Sequence, residues 1–414
     1  MKRTILLLIL PALCLAAACK KDTNSTATPA DDATFFKVYQ DTDMIGSFPD
    51  AIFASPDDGL YGLWHDYRST RYTIIKTDAE GNIRSKSDVP ANDFYINEYP
   101  AGNNHITFDG SCFYFTMLNY TSSGNYFCKV DVDGHFVFKM SIDSLIPEPY
   151  SVSPLFNYKD QQNNILINGS YTDTSYNDHP FLICCSQDGT VLWQNLFTDS
   201  AFSGYGLHNI SQTPDGGYLV FAPPSGSSSD LPSFFYKLSS DGTFEWKKMT
   251  EDGAYDGLLC LADNNFLAVT NSNPVEHIYY EKLVLMDSFC RTKNSVLVPG
   301  FDYDNTSYAS LYSSTYSGFI QKPGGGVVLG RLFNGYYFQN LGNSRVSLGH
   351  STIFDISTDD LSVRELPFRQ YGVDLYIAAM GITADNRHLL FAGMIKSQGN
   401  YHPFILKTDL NEHF

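Results

Sequence analysis

Phe234 to Trp246 reads FFYKLSSDGTFEW, and the reading of this stretch decides the fold. An apolar and aromatic run reaches Lys237, Asp241 and Gly242 turn the chain, and Thr243 to Trp246 begin a second extended run. Asp-Gly between two such runs signals a hairpin, because glycine tolerates the positive φ that a tight turn demands. The pattern recurs. Ile74 to Ile83 reads IIKTDAEGNI, Phe127 to Val137 reads FCKVDVDGHFV, and Leu182 to Trp193 reads LICCSQDGTVLW. The turn glycines Gly81, Gly134, Gly189 and Gly242 are spaced by 53, 55 and 53 residues. A period of this length marks a propeller, a solenoid or an array.

Working outward, the fullest copy of the repeat opens with a short apolar strand from His208 to Thr213 and turns at Pro214, Asp215, Gly216 and Gly217. A second strand follows from Tyr218 to Ala222, then a Ser/Gly/Pro loop. The third strand runs from Phe234 to Leu238 and the fourth from Thr243 to Met249. Second strands open near Gly59, Gly110, Asn164, Gly217, Asn265, Gly326 and Arg387. Third-strand positions matching Lys237 are Lys76, Lys129, Cys184, Leu285, Phe354 and Lys407. The spacing is 17 to 20 residues in six copies and 28 in the sixth, which carries an insertion within Leu332 to His350. In the fifth and sixth copies the third-to-fourth turn is degenerate.

Seven such units predict an all-β chain, a seven-bladed β-propeller of four-stranded antiparallel blades. The seventh copy stops after its third strand, and a ring with an open edge is exposed to pairing with other chains. Phe35 to Tyr39 is a spare strand placed before the first full copy. It is expected to pair onto the last blade and close the ring.

The repeat resembles the degenerate PQQ-like propeller repeats of secreted bacterial proteins. The matching residues are Asp215, Gly216 and Gly217, then Lys237, Asp241, Gly242 and Trp246, and Asp188 and Gly189 with Trp193. The resemblance covers most of residues 35–414 and speaks to fold alone, since propellers of this kind host enzymes, sensors and scaffolds.

The first residues carry an address. Lys2 and Arg3 form a charged head, and Ile5 to Leu15 form an apolar core too short for a comfortable bilayer span. Ala16, Ala17 and Ala18 then precede Cys19. This resembles the lipobox of bacterial lipoproteins, whose cysteine becomes the lipidated N-terminus after cleavage. Leu15 stands four residues before Cys19, and Ala16 occupies the place the lipobox usually gives to Leu. An ordinary secretory signal cleaved after an alanine is the alternative. Residues 20–34 are polar and rich in Ser, Thr, Pro and Asp, a tether that makes more sense behind an anchor than as a bare terminus. The expected organisation is a signal peptide over 1–19 with lipidated Cys19, a tether over 20–34 and the propeller over 35–414. The expected address is a bacterial membrane, the outer membrane favoured, with the propeller facing periplasm or cell surface.

Of the 414 residues, 43% are hydrophobic, enough for a large core, and 28 Tyr and 30 Phe suit pleated, half-buried surfaces. The formal charge of −18 argues against nucleic acid, whose phosphates need a basic face. Six cysteines follow Cys19, in no spacing that marks a disulfide framework. Cys184 and Cys185 are adjacent on a strand, so their side chains should point to opposite faces. Quinoprotein dehydrogenases place a vicinal cystine over their cofactor, but this pair sits in mid-blade beside a turn and reads as two buried thiols. Asp131 to Gly134 and Asp302 to Asn305 lack the spaced Glu of an EF-hand, and the first is a repeat turn. The histidines show no metal-ligand spacing, and no Gly-x-Ser-x-Gly elbow marks a nucleophile. No cofactor and no metal are expected.

The connections carry more. Within each unit the first-to-second and third-to-fourth turns are tight, while the second-to-third loops and the links between units are longer and variable. In an up-and-down blade these fall on opposite ends, so one end is uniform and the other carries the diversity where function usually sits. Links on that end gather tyrosines and acids. Tyr205 and His208 precede blade four, Tyr255 and Asp256 blade five, and Tyr371 and Asp374 blade seven. Tyr offers a flat apolar body with a polar tip, suited to sugars or peptides, or equally to packing between blades. The chain is expected to be a non-catalytic module binding a glycan, peptide or partner protein. The alternatives are a polysaccharide hydrolase or lyase with its site in the central funnel, and a scaffold with partners docked on its blades.

Overall fold

A computed structural model describes residues 34–410 apart from 41–46, 67–70, 91–94, 97–105, 119–123, 148, 199–206, 208, 223–232, 251–254, 272–280, 299–314, 324, 334–351, 367–374, 384 and 398–399. Blade one is β2 (Ser47–Ala54), β3 (Leu60–Asp66), β4 (Arg71–Thr77) and β5 (Ile83–Val89). In blade two the innermost strand is split. Both β6 (Tyr95–Ile96) and β7 (Ile106–Phe108) pair with β8 (Cys112–Leu118), which β9 (Tyr126–Asp131) and β10 (Phe136–Ser141) follow. Blade three is β11 (Ser151–Lys159), β12 (Ile165–Thr172), β13 (Asp178–Cys185) and β14 (Val191–Leu196). Blade four is β15 (Ile210–Gln212), β16 (Tyr218–Ala222), β17 (Phe234–Leu238) and β18 (Phe244–Met249). Blade five is β19 (Tyr255–Cys260), β20 (Phe266–Asn271), β21 (Glu281–Met286) and β22 (Thr292–Val298). Blade six is β23 (Thr315–Gln321), β24 (Val327–Phe333), β25 (Thr352–Ile356) and β26 (Val363–Leu366). Blade seven is β27 (Leu375–Ile382), β28 (His388–Ser397) and β29 (Asn400–Asp409), completed by β1 (Phe35–Val38) from the other end of the chain. Every pairing is antiparallel, and the fold is the seven-bladed propeller that the repeat implies. Among the described residues, the 3-10 turn Asp143–Leu145 is the one helical segment.

Period-two alternation explains the core. Leu166, Leu182 and Cys184 face blade four, while their neighbours Ile165, Ile167, Phe181, Ile183 and Cys185 face blade two. In blade five Leu267, Val269, Leu283 and Leu285 face blade six, and Phe266, Ala268, Val284 and Met286 face blade four. Both faces of each blade are therefore apolar, the pattern of a sheet sandwiched between two others. The same alternation puts one cluster of buried side chains in each of the seven junctions, including that of blade seven with blade one. The ring is closed.

Closure by β1 is in register with the repeat. Phe35 stands opposite Lys407 as Trp246 stands opposite Lys237, Trp193 opposite Cys184 and Phe138 opposite Lys129. The partnership continues at Tyr39, whose N–H donates to Pro403 O at 2.9 Å and whose hydroxyl donates to Gly81 O at 2.8 Å in blade one. Lys37 Nζ donates to Asn82 Oδ1 at 2.7 Å. The added strand thus joins the last blade by its backbone and the first by its side chains.

Three of these aromatics, Phe35, Phe138 and Trp193, lie under the third-to-fourth turn of the next blade. A Cβ added at Gly242 of blade four would stand 2.6 Å from the ring of Trp193 in blade three. Gly242 also has φ +81, so the position needs glycine twice over. Phe138 approaches Gly189, and Phe35 approaches Gly81, in the same way. The recurring glycine and the recurring aromatic are two halves of one contact between blades.

The structure adds to one feature of the sequence reading and corrects another. The turns of blades five and six degenerate in sequence but not in backbone. Cys290 (φ 54) and Leu361 (φ 57) take the left-handed place, each buried, at 3% and 2% exposure. The position in blade six that matches Lys237 is Asp355, not Phe354. Counted from the end of the first turn, Val328 pairs with Asp355 as Leu219 pairs with Lys237. The insertion in that unit displaced the count by one. The correct register exposes a rule: Asp57 meets Lys76 at 2.8 Å, Asp109 meets Lys129 at 3.7 Å and Asp215 meets Lys237 at 3.0 Å. In blade six the signs are exchanged, with Lys322 bonded to Asp355.

Candidate functional site

The two ends of the blades differ as expected. First-to-second turns span five residues in six blades and three in blade two, and third-to-fourth turns span four to six. At the opposite end the second-to-third connections run from two residues in blade seven to eighteen in blade six.

Of the six residues expected to line a site on the variable end, Tyr205, His208, Tyr371 and Asp374 lie outside the described residues. Asp256 belongs to β19, but its side chain too is outside them. Tyr255 is described, and at 2% exposure its ring packs 5.5 Å from Phe221 and 5.2 Å from Phe235. It is part of the core between blades four and five, the packing role rather than the contact role. Cys19 and the tether also lie outside the described residues.

The variable end of blade three does present aromatic surface. Tyr150 immediately precedes the innermost strand β11, farther out on this end than Tyr255, which is itself the first paired residue of β19. Tyr176 sits in the turn from β12 to β13. The two rings are 4.8 Å apart at 60°, and exposure is 63% and 70%. Sequence reasoning missed this pair because it sought tyrosines with an acid beside them in the same link. The usable signal was positional, a tyrosine one residue before an innermost strand.

Carboxylates in reach of a His or Tyr would mark a candidate acid–base site. Several described pairs have that reach, His135 with Asp131 at 3.4 Å and three shorter ones among them. Tyr114 Oη donates to Asp109 Oδ2 at 2.6 Å, Tyr218 Oη donates to Asp160 Oδ2 at 2.9 Å, and His179 Nε2 lies 3.0 Å from Asp173 Oδ2. In each the carboxylate is already tied to its own turn. Asp109 accepts from the N–H groups of Ser111 and Cys112, Asp160 from Gln162 and Asn164, and Asp173 from Ser175 and Asn177. Burial alone would raise Asp109, but the hydrogen bonds from Tyr114, Ser111 and Cys112 outweigh it and hold the carboxyl down at about 2. Burial first, and the Asp109 carboxylate second, push the Tyr114 phenol well up. A base held that low and a phenol held that high are poorly matched to proton transfer near neutrality. These groups bind turns and blades together.

The six described cysteines are unpaired thiols. Cys184 and Cys185 point to opposite faces, into different junctions, and burial pushes both up to about 12. Among the described residues no group of three or more His, Cys, Asp or Glu is gathered as metal ligands would be.

No family profile matches the chain, and no curated protein matches its sequence. Solved structures of similar fold do exist. The lignostilbene dioxygenase of Pseudomonas brassicacearum is 8% identical, with 92% of this chain and 89% of that one covered at a TM-score of 0.51. YCF48 bound to D1 peptide is 11% identical, with 90% and 96% covered at 0.48. The Hadza microbial sialidase Hz136 is 9% identical, with 72% and 66% covered at 0.46. What is shared at such identities is the fold.

Proposed function

We propose that this chain is an extracytoplasmic lipoprotein whose propeller is a non-catalytic binding module. Acylation at Cys19, by palmitate or a similar chain, would hold it on a bacterial membrane, the outer membrane favoured. The polar tether would carry the propeller clear of the lipid. The variable end of the blades would meet a glycan, peptide or partner protein. The observation that carries the binding reading is the division of the blades into a uniform end and a variable one, with the tyrosine pair exposed on the variable end. The turn-bound state of the described carboxylates supports binding over hydrolysis. The anchor rests on the charged head, the apolar core and the alanines before Cys19, and the propeller type on the PQQ-like turns.

Two measurements test the reading. Cys19→Ala should move the full chain from the detergent-extracted fraction to the soluble one, since an acyl chain contributes about 0.8 kcal/mol per buried CH₂. Unchanged partition removes the anchor. The full chain in detergent should bind on a combined glycan and peptide array without cleaving what it binds. Release of new reducing ends from a polysaccharide would establish the hydrolase instead.

A further inference from the structure

The geometry points to Tyr150 and Tyr176 as a stacking platform for a neutral glycan, an inference that rests on the binding-module reading above. It starts from a conformational anomaly. The described non-glycine residues with positive φ are Asp58, Asn163, Tyr176, Asn209, Asn264, Cys290, Leu361 and Asn386. Asn and Asp tolerate this region, because a short polar side chain can hydrogen-bond locally. Cys290 and Leu361 are buried, and burial offsets the strain. Tyr176 alone is bulky, at φ 63 and exposed to 70%. No burial accounts for a tyrosine there; the matching place in the other turns is held by Gly, Asn or Asp, or by the buried Cys290 and Leu361. Strain kept without a packing return is a mark of function.

The turn that holds Tyr176 is over-determined. Tyr176 N–H donates to Asp173 O at 3.0 Å, and Asp173 N–H donates to Asn177 O at 2.9 Å. The Asp173 carboxylate accepts from the N–H groups of Ser175 and Asn177 at 2.8 and 2.9 Å, and His179 stands against its other oxygen. Tyr150 is fixed through its N–H, which donates to Thr172 O at 2.8 Å. Two rings are thus presented on rigid supports, which lowers the ordering cost of binding.

Beside the rings runs a polar fringe. Ser151 Oγ donates to Thr172 Oγ1 at 3.0 Å, and Thr172 Oγ1 donates to Asp178 Oδ1 at 2.7 Å. Asp178 and Ser151 are exposed. An aromatic face that takes the C–H side of a sugar ring, next to a carboxylate and hydroxyls that take its OH groups, is the chemistry that recognises a carbohydrate. An anionic ligand is disfavoured. From Pro149 to Pro180 the sole Lys or Arg is Lys159, whose Nζ donates to Phe108 O at the opposite end of the blade.

The test is affinity electrophoresis of the full chain in detergent through gels containing dextran, mannan, a mixed-linkage β-glucan or arabinogalactan, beside a peptide array. At least one of these neutral polysaccharides should retard the chain. Tyr150→Ala and Tyr176→Asn should each weaken that binding by about tenfold, while Tyr150→Phe and Tyr176→Phe keep it. Tyr176→Asn should also raise the melting midpoint or leave it level, because Asn tolerates the backbone that tyrosine strains, a result that a structural role for the ring would reverse. Retardation that both ring-removing variants retain overturns the platform and leaves the binding module standing. Binding to peptides with no retardation by any of the polysaccharides does the same. No binding to either class overturns both.

Discussion

Gly242 shows why the repeat keeps its residues. Two demands meet there, a left-handed backbone and the ring of Trp193. Gly216 has nearly the same φ, +82, but the nearest atom to an added Cβ is 3.8 Å away. Gly216→Ala should therefore cost only the backbone term, about 1 kcal/mol, and Gly242→Ala about 2–3 kcal/mol. Denaturant unfolding checks both. The excess at Gly242 should shrink in a Trp193→Ala background, and equal costs for the two glycines would refute the contact. The thiols make a second case. Cys128, Cys184, Cys185 and Cys290 are buried and pushed up to about 12 by that burial. A thiol reagent at neutral pH should leave these four unreacted in the native state and label them once denaturant unfolds the chain. Rapid native labelling of Cys184 and Cys185 would contradict their place in the junctions.

At the scale of elements, β1 carries the closure. It supplies the missing fourth strand of blade seven, sets Phe35 where Trp193 and Phe138 stand elsewhere, and bonds blade one through Tyr39 and Lys37. Deleting Phe35 to Tyr39 removes this pairing and burial together. The cost should be on the order of 5 kcal/mol, seen as a lower melting midpoint and a tendency to associate through the open edge of β29. Phe35→Ala is milder and should cost about 1–2 kcal/mol. An unchanged midpoint in the deletion would show that the ring does not depend on its N-terminal strand.

Across the whole molecule the turn carboxylates act together. Hydrogen bonds from Lys76, Ser186 and Ser239 hold Asp57, Asp188 and Asp241 below the usual carboxylate range, and the N–H of Ser362 brings Asp360 to about 2. Asp109 joins them at about 2. A carboxyl depressed in the folded state adds stability above its unfolded value, near 3.8, and that contribution is lost as pH falls through its folded value. The propeller should keep its melting midpoint down to about pH 4 and lose it steeply from there to about pH 2. Asp109→Asn should lower the midpoint at neutral pH, and the gap to the wild type should close as pH approaches 2. A gap that stays constant with pH would show that Asp109 titrates alike in both states.

What the sequence determined by itself was the repeat, and with it the ring. Asp-Gly turns act locally, period-two alternation is a property of each strand alone, and a unit lacking its fourth strand implies a donor elsewhere. Most of the tight-turn end was legible for that reason. Tertiary structure alone decided that Cys290 and Leu361 hold left-handed turns, because what offsets their strain is burial against a neighbouring blade. It alone paired Lys322 with Asp355, where an insertion had blurred the register. The site was the least legible part. Tyr150 and Tyr255 both stand at the start of an innermost strand, yet one is exposed and the other sealed between Phe221 and Phe235. Residue type is the same in both, but Tyr255 pairs with Thr270 inside its sheet while Tyr150 lies just beyond the outermost pair of β11. That depth in the blade brings Tyr255 against the neighbouring blade, and the exposure of a side chain depends on what packs against it rather than on the chain that carries it.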